Sequence, residues 1–153
     1  MAERRLKIDL VDVDALSDDV RRASMAAVAN LVRKYARRRT PMSKGKALRK
    51  DGVTKRTKLR QSIGTRVSKD GKNAVVYAKA PHARIIHDGT KAHQLIAKGH
   101  HANIGGHWVT GPIMHPGQPG VPYLVQGAED ARSEVPAVLK GVAEKIALRK
   151  AAK

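Results

Sequence analysis

Histidine is the residue type of this chain best placed for chemistry, because all seven histidines lie between Ala80 and Pro116. Neutral imidazoles bind zinc and nickel, so this clustering raises the hypothesis of a metal site. However, Asp88 is the only nearby carboxylate, and no two histidines have the spacing of a His-Glu-x-x-His frame or of another closed zinc site. We therefore interpret them as residues of turns and interfaces, and we expect neither a metal nor another cofactor. The histidines are His82, His87, His93, His100, His101, His107 and His115.

The remaining catalytic residue types form no complete set. The His-His-Ala-Asn run at 100–103 superficially resembles that of His-Asn-His nucleases, but the surrounding ligand pattern of those enzymes is missing. Ser62 and Ser68 lie in or beside a predicted strand, and the sequence has no strand-to-helix nucleophile elbow. Cysteine is absent, which excludes disulfides, thiolate metal sites and a cysteine nucleophile. We predict a protein without catalytic residues, one that builds a structure rather than catalyses a reaction.

Length and composition indicate one compact domain over residues 1–153. With 153 residues, 41% of them hydrophobic, the chain can bury one core and is too short for two comfortable domains. Its formal charge of +18 gives the surface a strong positive potential that attracts polyanions such as nucleic acids, acidic membranes or acidic proteins. The N-terminus has no signal-type apolar region, and no apolar run approaches the roughly 20 residues that span a bilayer, so we expect no membrane partner.

The segment from Arg37 to Arg60 carries a large share of this charge. Eleven cations face a single acid, Asp51, which gives a local charge of +10. Because the middle of the segment has few apolar residues to offset its ordering entropy, we predict a mobile basic loop over residues 40–58. The charge exceeds what solubility needs, so we expect these residues to contact DNA phosphates or acidic faces of neighbouring proteins, without reading sequence. The cations are Arg37, Arg38, Arg39, Lys44, Lys46, Arg49, Lys50, Lys55, Arg56, Lys58 and Arg60.

The N-terminal half predicts a strand, a long helix and a hairpin. Alternating side chains from Leu6 to Val13 indicate a short strand. A helix from Asp14 to Arg39 follows, with Asp14 or Ser17 as its cap and Pro41 as its stop. Residues at three- and four-residue steps predict its apolar stripe: Leu16, Val20, Ala23, Ala27, Leu31 and Tyr35. Two β-prone runs, 63–68 and 74–80, are separated by an Asp-Gly turn and predict a hairpin.

The C-terminal half predicts further strands and a helix. Strand candidates run from His93 to Ala97 and from His107 to Met114. From Leu124 the sequence is helical, and Pro136 predicts either a kink or a second helix capped by Ser133. We expect residues 148–153 to fray. The predicted fold is α+β: a small antiparallel sheet packs against a long N-terminal helix and a C-terminal helix kinked near Pro136, with a long basic loop. The apolar face of the last helix is Val135, Val138, Leu139, Val142 and Ile146.

Several short motifs follow one another in a fixed order around the predicted hairpin. Thr57-Lys58-Leu59-Arg60-Gln61-Ser62-Ile63 precedes it, and Ile86-His87-Asp88-Gly89-Thr90-Lys91-Ala92-His93 follows it. His115-Pro116-Gly117 and Pro122-Tyr123-Leu124 then open the C-terminal helix. Together these motifs resemble the head–tail joining and tail-completion (neck) proteins of tailed bacteriophages, the minor-tail-Z-like proteins among them. The chain departs from that pattern at Lys58, where the family usually has glycine, and at Tyr123, where phenylalanine is common.

The resemblance implies a structural protein of the virion, located in the neck or upper tail, assembled in the host cytoplasm and without enzymatic activity. It implies a homo-oligomeric ring, with a hexamer favoured because phage tails are built on sixfold rings, and other neck and tail proteins as partners. DNA would pass through or near this ring, so non-specific contact with packaged DNA is expected. The family-motif and interface residues are Leu59, Ser62, Ile63, Asp88, Gly89, Thr90, His93, His115, Pro116, Gly117, Pro122, Tyr123 and Leu124.

Two functions of other classes stay open. One is a small sequence-independent DNA- or RNA-binding protein that uses the basic segment, and the other is a His-rich metal-dependent hydrolase. Self-association without nucleic acid would distinguish the ring protein from the nucleic-acid-binding protein. Hydrolytic activity with added divalent metal would indicate the hydrolase. A base-stacking platform is disfavoured because the aromatic residues are expected in the core. These are Tyr35, Tyr77, Trp108 and Tyr123.

Overall fold

The computed structural model describes residues 4–9, 17–41, 59–95, 101–104, 107–110 and 112–152. Residues 42–58 of the predicted basic loop lie outside these described residues. The predicted α+β class is confirmed. The elements are β1 (Arg4–Asp9), α1 (Asp18–Arg39), α2 (Leu59–Ser62), β2 (Ile63–Val67), β3 (Asn73–Ala78), α3 (Ala83–Asp88), β4 (Gly89–Thr90), β5 (His93–Leu95), β6 (His101–Ile104), β7 (His107–Thr110), β8 (Ile113–His115), β9 (Gln118–Pro119), α4 (Tyr123–Ala131), a 3-10 turn (Arg132–Glu134) and α5 (Val135–Ala151).

The sheet against which the helices pack has three antiparallel strands in the order β1-β3-β2. Strands β2 and β3 form the predicted hairpin, and the Asp70 carboxylate stabilises its turn by accepting a hydrogen bond from the Lys72 amide at 3.0 Å. Along β3 the inward residues Ala74, Val76 and Ala78 are buried and alternate with half-buried residues. One face of this sheet therefore belongs to the core, and the other faces outward.

Helix α1 lies between the sheet and the C-terminal helices and packs against both. It begins after Ser17, one of the two predicted caps, and the amide of Thr40 closes its last turn on the Ala36 carbonyl at 3.0 Å. Acidic residues in the first turn and arginines in the last match the helix dipole. The helix thus supplies the surface on which both neighbouring layers rest.

The apolar stripe predicted for α1 is wrong in its angular position. Of the predicted residues, Leu31 is buried, and Leu16 lies outside the described residues. The others, Val20, Ala23, Ala27 and Tyr35, are half-buried. The face against the core is rotated around the helix because α1 is covered from two sides. Its buried residues are Ser24, Met25, Val28, Ala29, Leu31, Val32 and Ala36.

The C-terminal helical region is interrupted beside Pro136, as predicted, and contains two helices. Helix α4 ends at Ala131, a 3-10 turn follows, and α5 begins at Val135 with Pro136 in its first turn, where a missing N–H costs nothing. The cap position is occupied by Glu134 rather than Ser133, which corrects that alternative. Helix α5 packs mainly on α1, and α4 packs on α1 and on β1. The helix reaches Ala151, so fraying of 148–153 in solution stays a prediction.

Candidate assembly interface

The short strands between Gly89 and Pro119 pair as a two-stranded ladder, which we call the arm. Gly89 lies opposite Pro119, and His93 lies opposite His115, in one continuous register. Farther out, that register would place His101 opposite His107, but His101 faces Thr110 instead, so the ladder shifts register towards its tip. Strands β5 to β8 pack chiefly on their own partners, whereas β4, at the base, also contacts α3. The arm therefore brings together motif residues that lie far apart in the sequence.

The base of the arm is a contact between two backbones. Gly89 has a φ of 78°, and a Cβ there would lie 2.5 Å from the Gly120 nitrogen. A Cβ on Gly120 would lie 2.7 Å from the Gly89 nitrogen, so neither position has room for a side chain. The amide of Val121 also donates to the Ile86 carbonyl at 2.8 Å. These contacts fix the direction in which the arm leaves the core.

A second glycine contact lies one step farther along the arm. Gly117 has a φ of 88°, and a Cβ there would lie 2.8 Å from the Lys91 carbonyl carbon. Its amide donates to His115 Nδ1 at 3.0 Å, which holds the turn that follows β8. His115 also lies against His93, with ring centroids 5.0 Å apart. The predicted His-Pro-Gly motif thus forms a bend held by this hydrogen bond and by the close backbone contact at Gly117.

Beneath the arm, His87 and Asp88 form a partly buried polar pair. His87 Nδ1 lies 2.7 Å from Asp88 Oδ1 and 3.4 Å from Arg4 Nε. One nitrogen cannot donate to a carboxylate and accept from a guanidinium, and the shorter distance assigns the proton to Nδ1 as a donor to Asp88. Arg4 instead pairs with Asp88 directly, at 2.8 Å. The His87 hydrogen bond, with the charges of Arg4 and Arg84, holds the pKa of Asp88 below its usual value.

The Pro-Tyr-Leu motif anchors the chain where it leaves the arm. Tyr123 and Leu124 are almost completely buried. The Tyr123 ring meets the edge of His87 at 5.1 Å between centroids, and burial raises the pKa of its phenol to about 12. Gly127, one turn later, lets α4 approach α1 so closely that a Cβ would lie 2.6 Å from Ala36 Cα. Tyr123 and Leu124 therefore anchor the chain by packing in the core, whereas Pro122, immediately before α4, is exposed.

The inner part of the arm is exposed. Lys91, just before β5, and His93 and Gln94 within it are exposed, and Met114, opposite Gln94, is 66% exposed. The sequence has no acidic residue between Asp88 and Glu129, so the whole arm is neutral or positive. A two-stranded ladder is marginally stable when it stands alone in water. An arm of this kind is suited to being covered by another protein.

The predicted motif residues divide into two groups. Leu59, Ser62 and Ile63 are buried in the core, where the Ser62 hydroxyl donates to the Leu59 carbonyl at 2.7 Å. Asp88, Gly89, Thr90, His93, His115, Pro116 and Gly117 lie at the base of the arm or along it. The buried residues, together with Tyr123 and Leu124, form the core that holds the arm residues in place.

Several predicted basic contact residues are engaged within the chain. Arg37 donates to the Ile63 carbonyl at 3.0 Å, and Arg39 forms a two-pronged pair with Asp130 at 2.6 and 2.8 Å. The guanidinium of Arg38 lies over the Tyr35 ring, 5.2 Å from its centroid. Arg60 is exposed on α2. The others, Lys44, Lys46, Arg49, Lys50, Lys55, Arg56 and Lys58, lie outside the described residues.

The outward face of the three-stranded sheet carries cations that sequence reasoning missed. Arg5, Lys7, Arg66 and Lys79 are exposed there, around the half-buried ring of Tyr77. Tyr77 was expected in the core, and its position on this face corrects that expectation. The signal was present in the sequence as alternation along β1 and β3, but only the strand register shows that these residues meet.

Within the described ranges, no three His, Cys, Asp or Glu side chains come together as metal ligands. The buried His87 Nε2 has no hydrogen-bond partner in the part of the chain that the structure describes. In that same part, no helix combines the length and apolar character that a bilayer span requires.

Comparison with family models matches residues 5–89 to the family described as "Bacteriophage HK97-gp10, putative tail-component". The matched region runs from β1 to the first residue of the arm, and it includes α1 and the β2–β3 hairpin. Searches of curated proteins and of solved structures give no significant match.

Proposed function

The chain belongs to the bacteriophage HK97-gp10-like family of tail components, and on this premise we propose that it is a neck or tail-completion subunit that forms a ring at the head–tail junction. As a member of this family it is a structural protein of the phage tail, with its place in the virion. Beyond family membership, we propose that the subunits form a ring and that DNA passes through or near it.

The exposed arm is the observation that carries this proposal. Its base is fixed by backbone contacts at Gly89, Gly117 and Gly120, so this base loses little conformational entropy when a partner binds. Its surface offers Met114 and, among the described residues, strands that pair on one edge only, which are suited to contact with a second copy or with another tail protein. We place the principal assembly contact on the arm for these reasons.

Ring formation and copy number rest on the family's architecture. Phage tails are built on sixfold rings, so a hexamer is the favoured form, assembled in the host cytoplasm before it enters the virion. The three-stranded sheet adds two edges, β1 and β2, through which neighbouring copies could pair. The free chain can be monomeric and associate only when its partners are present.

The proposed role is non-catalytic, in keeping with a family of structural components. The alternative is a small, sequence-independent DNA- or RNA-binding protein, and the formal charge of +18 favours it as a second candidate. The two differ in what they need for function. A ring subunit must be incorporated into particles in several copies, whereas a free nucleic-acid-binding protein need not be found in them.

The test replaces Met114 with Asp, which puts a charge on the arm without disturbing the core. A matched control is Leu148→Asp on α5, because Leu148 is similarly exposed at 70% against 66% for Met114. We expect both variants to melt like the wild type. We expect Met114→Asp alone to be lost from purified virions, as measured by quantitative mass spectrometry of complemented particles.

Normal incorporation of Met114→Asp would show that the arm is not the assembly contact. A mass measurement of intact virions provides the broader check on the ring. A single copy of the wild-type chain per particle, or none, would rule out the ring subunit.

A further inference from the structure

The outward face of the β1-β3-β2 sheet is a basic surface built by strand register. Arg5 lies opposite Tyr77, which lies opposite Gly64, and this forms one row across the three strands. The next row is Lys7, Val75 and Arg66. Lys79 directly follows β3, and its ammonium lies over the Tyr77 ring, so it joins Tyr77 on the same side. Four exposed cations from separate parts of the sequence thus lie on or beside one face of a small sheet.

The centre of this surface is an aromatic ring that lies on the sheet. A Cβ on Gly64 would come within 2.8 Å of Tyr77 Cζ, so the absence of a side chain at Gly64 makes room for the ring. The ammonium of Lys79 lies 5.4 Å from the ring centroid on that face. Because the Tyr77 side chain lies flat on the sheet and contacts Lys79, the cations surround a shallow surface.

We propose that this sheet face binds the phosphate backbone of duplex DNA. The argument is charge complementarity, because Arg5, Lys7, Arg66 and Lys79 present positive charge across adjacent strands. The sequence puts one acid, Asp9, in these strands, at the end of β1 remote from Lys79. Contacts to phosphate do not depend on the DNA sequence. A protein beside a channel through which all of the packaged DNA passes needs contacts of this kind.

The chemistry of the face favours DNA over an acidic protein. Protein interfaces are depleted of charged residues at their centres, whereas protein–DNA interfaces are polar and strongly positive. Here, Val75 and Tyr77 are the apolar side chains between the cations, and both are half-buried by their own strands. The choice of ligand rests on the proposed function, because packaged duplex DNA is the polyanion next to a neck protein.

The test reverses three of these charges, as Lys7→Glu, Arg66→Glu and Lys79→Glu together, in the full chain. The matched control reverses three exposed cations of α5, as Lys140→Glu, Lys145→Glu and Arg149→Glu, with the same change in net charge. Binding to a random-sequence duplex is measured by fluorescence anisotropy at several salt concentrations. Thermal melting reports on the fold, and a Gln triple at the same three sheet positions replaces the Glu triple if the latter unfolds.

We expect the sheet triple to lose at least tenfold in DNA affinity and the α5 triple to lose about threefold or less. The slope of log affinity against log salt should fall by about 0.9 for each phosphate contact removed. Equal losses in the two triples would overturn the proposal, because net charge alone would then explain binding. An absence of wild-type binding at low salt would overturn it as well.

Incorporation into virions separates this inference from the proposed function. Unchanged DNA affinity with loss of the sheet triple from particles would overturn the DNA proposal in favour of an acidic protein, while the tail-completion role would stand. A loss of DNA affinity in the sheet triple but not in the α5 triple would support the DNA surface. This holds even if the wild-type chain were missing from particles, a finding that would contradict only the proposal of a ring subunit.

Discussion

At the scale of single residues, glycines decide the geometry of the arm. Gly89→Ala places a methyl group against the Gly120 backbone at a φ of 78°, and backbone cannot move aside as a side chain can. We expect a loss of about 1–3 kcal/mol in the free energy of unfolding, measured by urea denaturation.

Gly141 provides the opposite case in the same chain. It lies inside α5, where an added Cβ would meet nothing within 4 Å. Gly141→Ala should therefore raise stability by about 0.5–1 kcal/mol through helix propensity. Equal effects at the two glycines would show that the close approach at Gly89 does not constrain the fold.

Asp88 gives the fold a dependence on acid pH. Its pKa is lowered in the folded state by the His87 hydrogen bond and by nearby arginines, so its ionised form stabilises the fold. That stability is fully present above the unfolded pKa of about 3.9 and is lost as pH falls through the lower folded pKa. Asp88→Asn should cost on the order of 1 kcal/mol at pH 7.

The measurement is the difference in melting temperature between wild type and Asp88→Asn as a function of pH. We expect the difference to shrink from pH 6 towards pH 2. A difference that stays constant over this range would mean that the Asp88 charge contributes nothing to stability.

At the scale of elements, the helices and the hairpin follow from sequence, but their faces do not. The limits of α1 and the β2–β3 turn come from local signals at Ser17, Pro41 and Asp70, which act within a few residues. The buried face of α1 depends on what lies on either side of it. Apolar residues are spread around much of this helix, so Val20 and Val28 fit different stripes equally well. Only the packing of α1 between the sheet and the C-terminal helices decides that Val28 is buried and Val20 half-buried.

Leu31 belongs to both the predicted and the observed face of α1, and it is 7% exposed. Leu31→Ala should cost roughly 2–5 kcal/mol in unfolding free energy because it leaves a cavity in the core. The control is the neighbouring exposed residue, as Asn30→Ala. A Leu31→Ala variant that melts like Asn30→Ala would place α1 at the periphery of the core.

The arm shows why the site was predicted only in part. The motif residues from Asp88 to Gly117 were identified one by one, but their pairing joins segments far apart in sequence, and no local pattern indicates which strand meets which. The strand β6 was also missed, because its short run has no clear alternation. The glycine contacts depend on two backbones meeting, which a single sequence does not reveal.

At the scale of the whole molecule, two clusters of positive charge are candidates for contact with DNA. One is the sheet face, and the other is the basic segment, whose residues 42–58 lie outside the described part. Reversing Lys46, Arg49 and Lys50 to Glu should lower affinity for DNA, or assembly if an acidic protein is the partner, and leave the fold intact. Anisotropy with duplex DNA and virion yield measure the two outcomes.

Competition identifies the partner of this basic segment. Short random DNA that displaces purified neck proteins from the wild-type chain would favour phosphate contacts. If the triple variant binds DNA normally and also assembles normally, the segment is a solvated surface and the sheet face stands alone as the DNA contact.

The backbone contact between Gly89 and Gly120, at the base of the arm, divides the chain into two regions whose residues evolve under different constraints. Substitutions at Gly89, Gly120 and Tyr123 are selected by whether the domain still folds, because these residues lie against backbone or in the core. If the arm is the assembly contact, as proposed, substitutions at its exposed residues, such as Gln94 and Met114, are selected by whether a neighbouring protein still fits. On that proposal a phage lineage can change its tail partner through substitutions in the arm, while the domain beneath the arm is inherited unchanged.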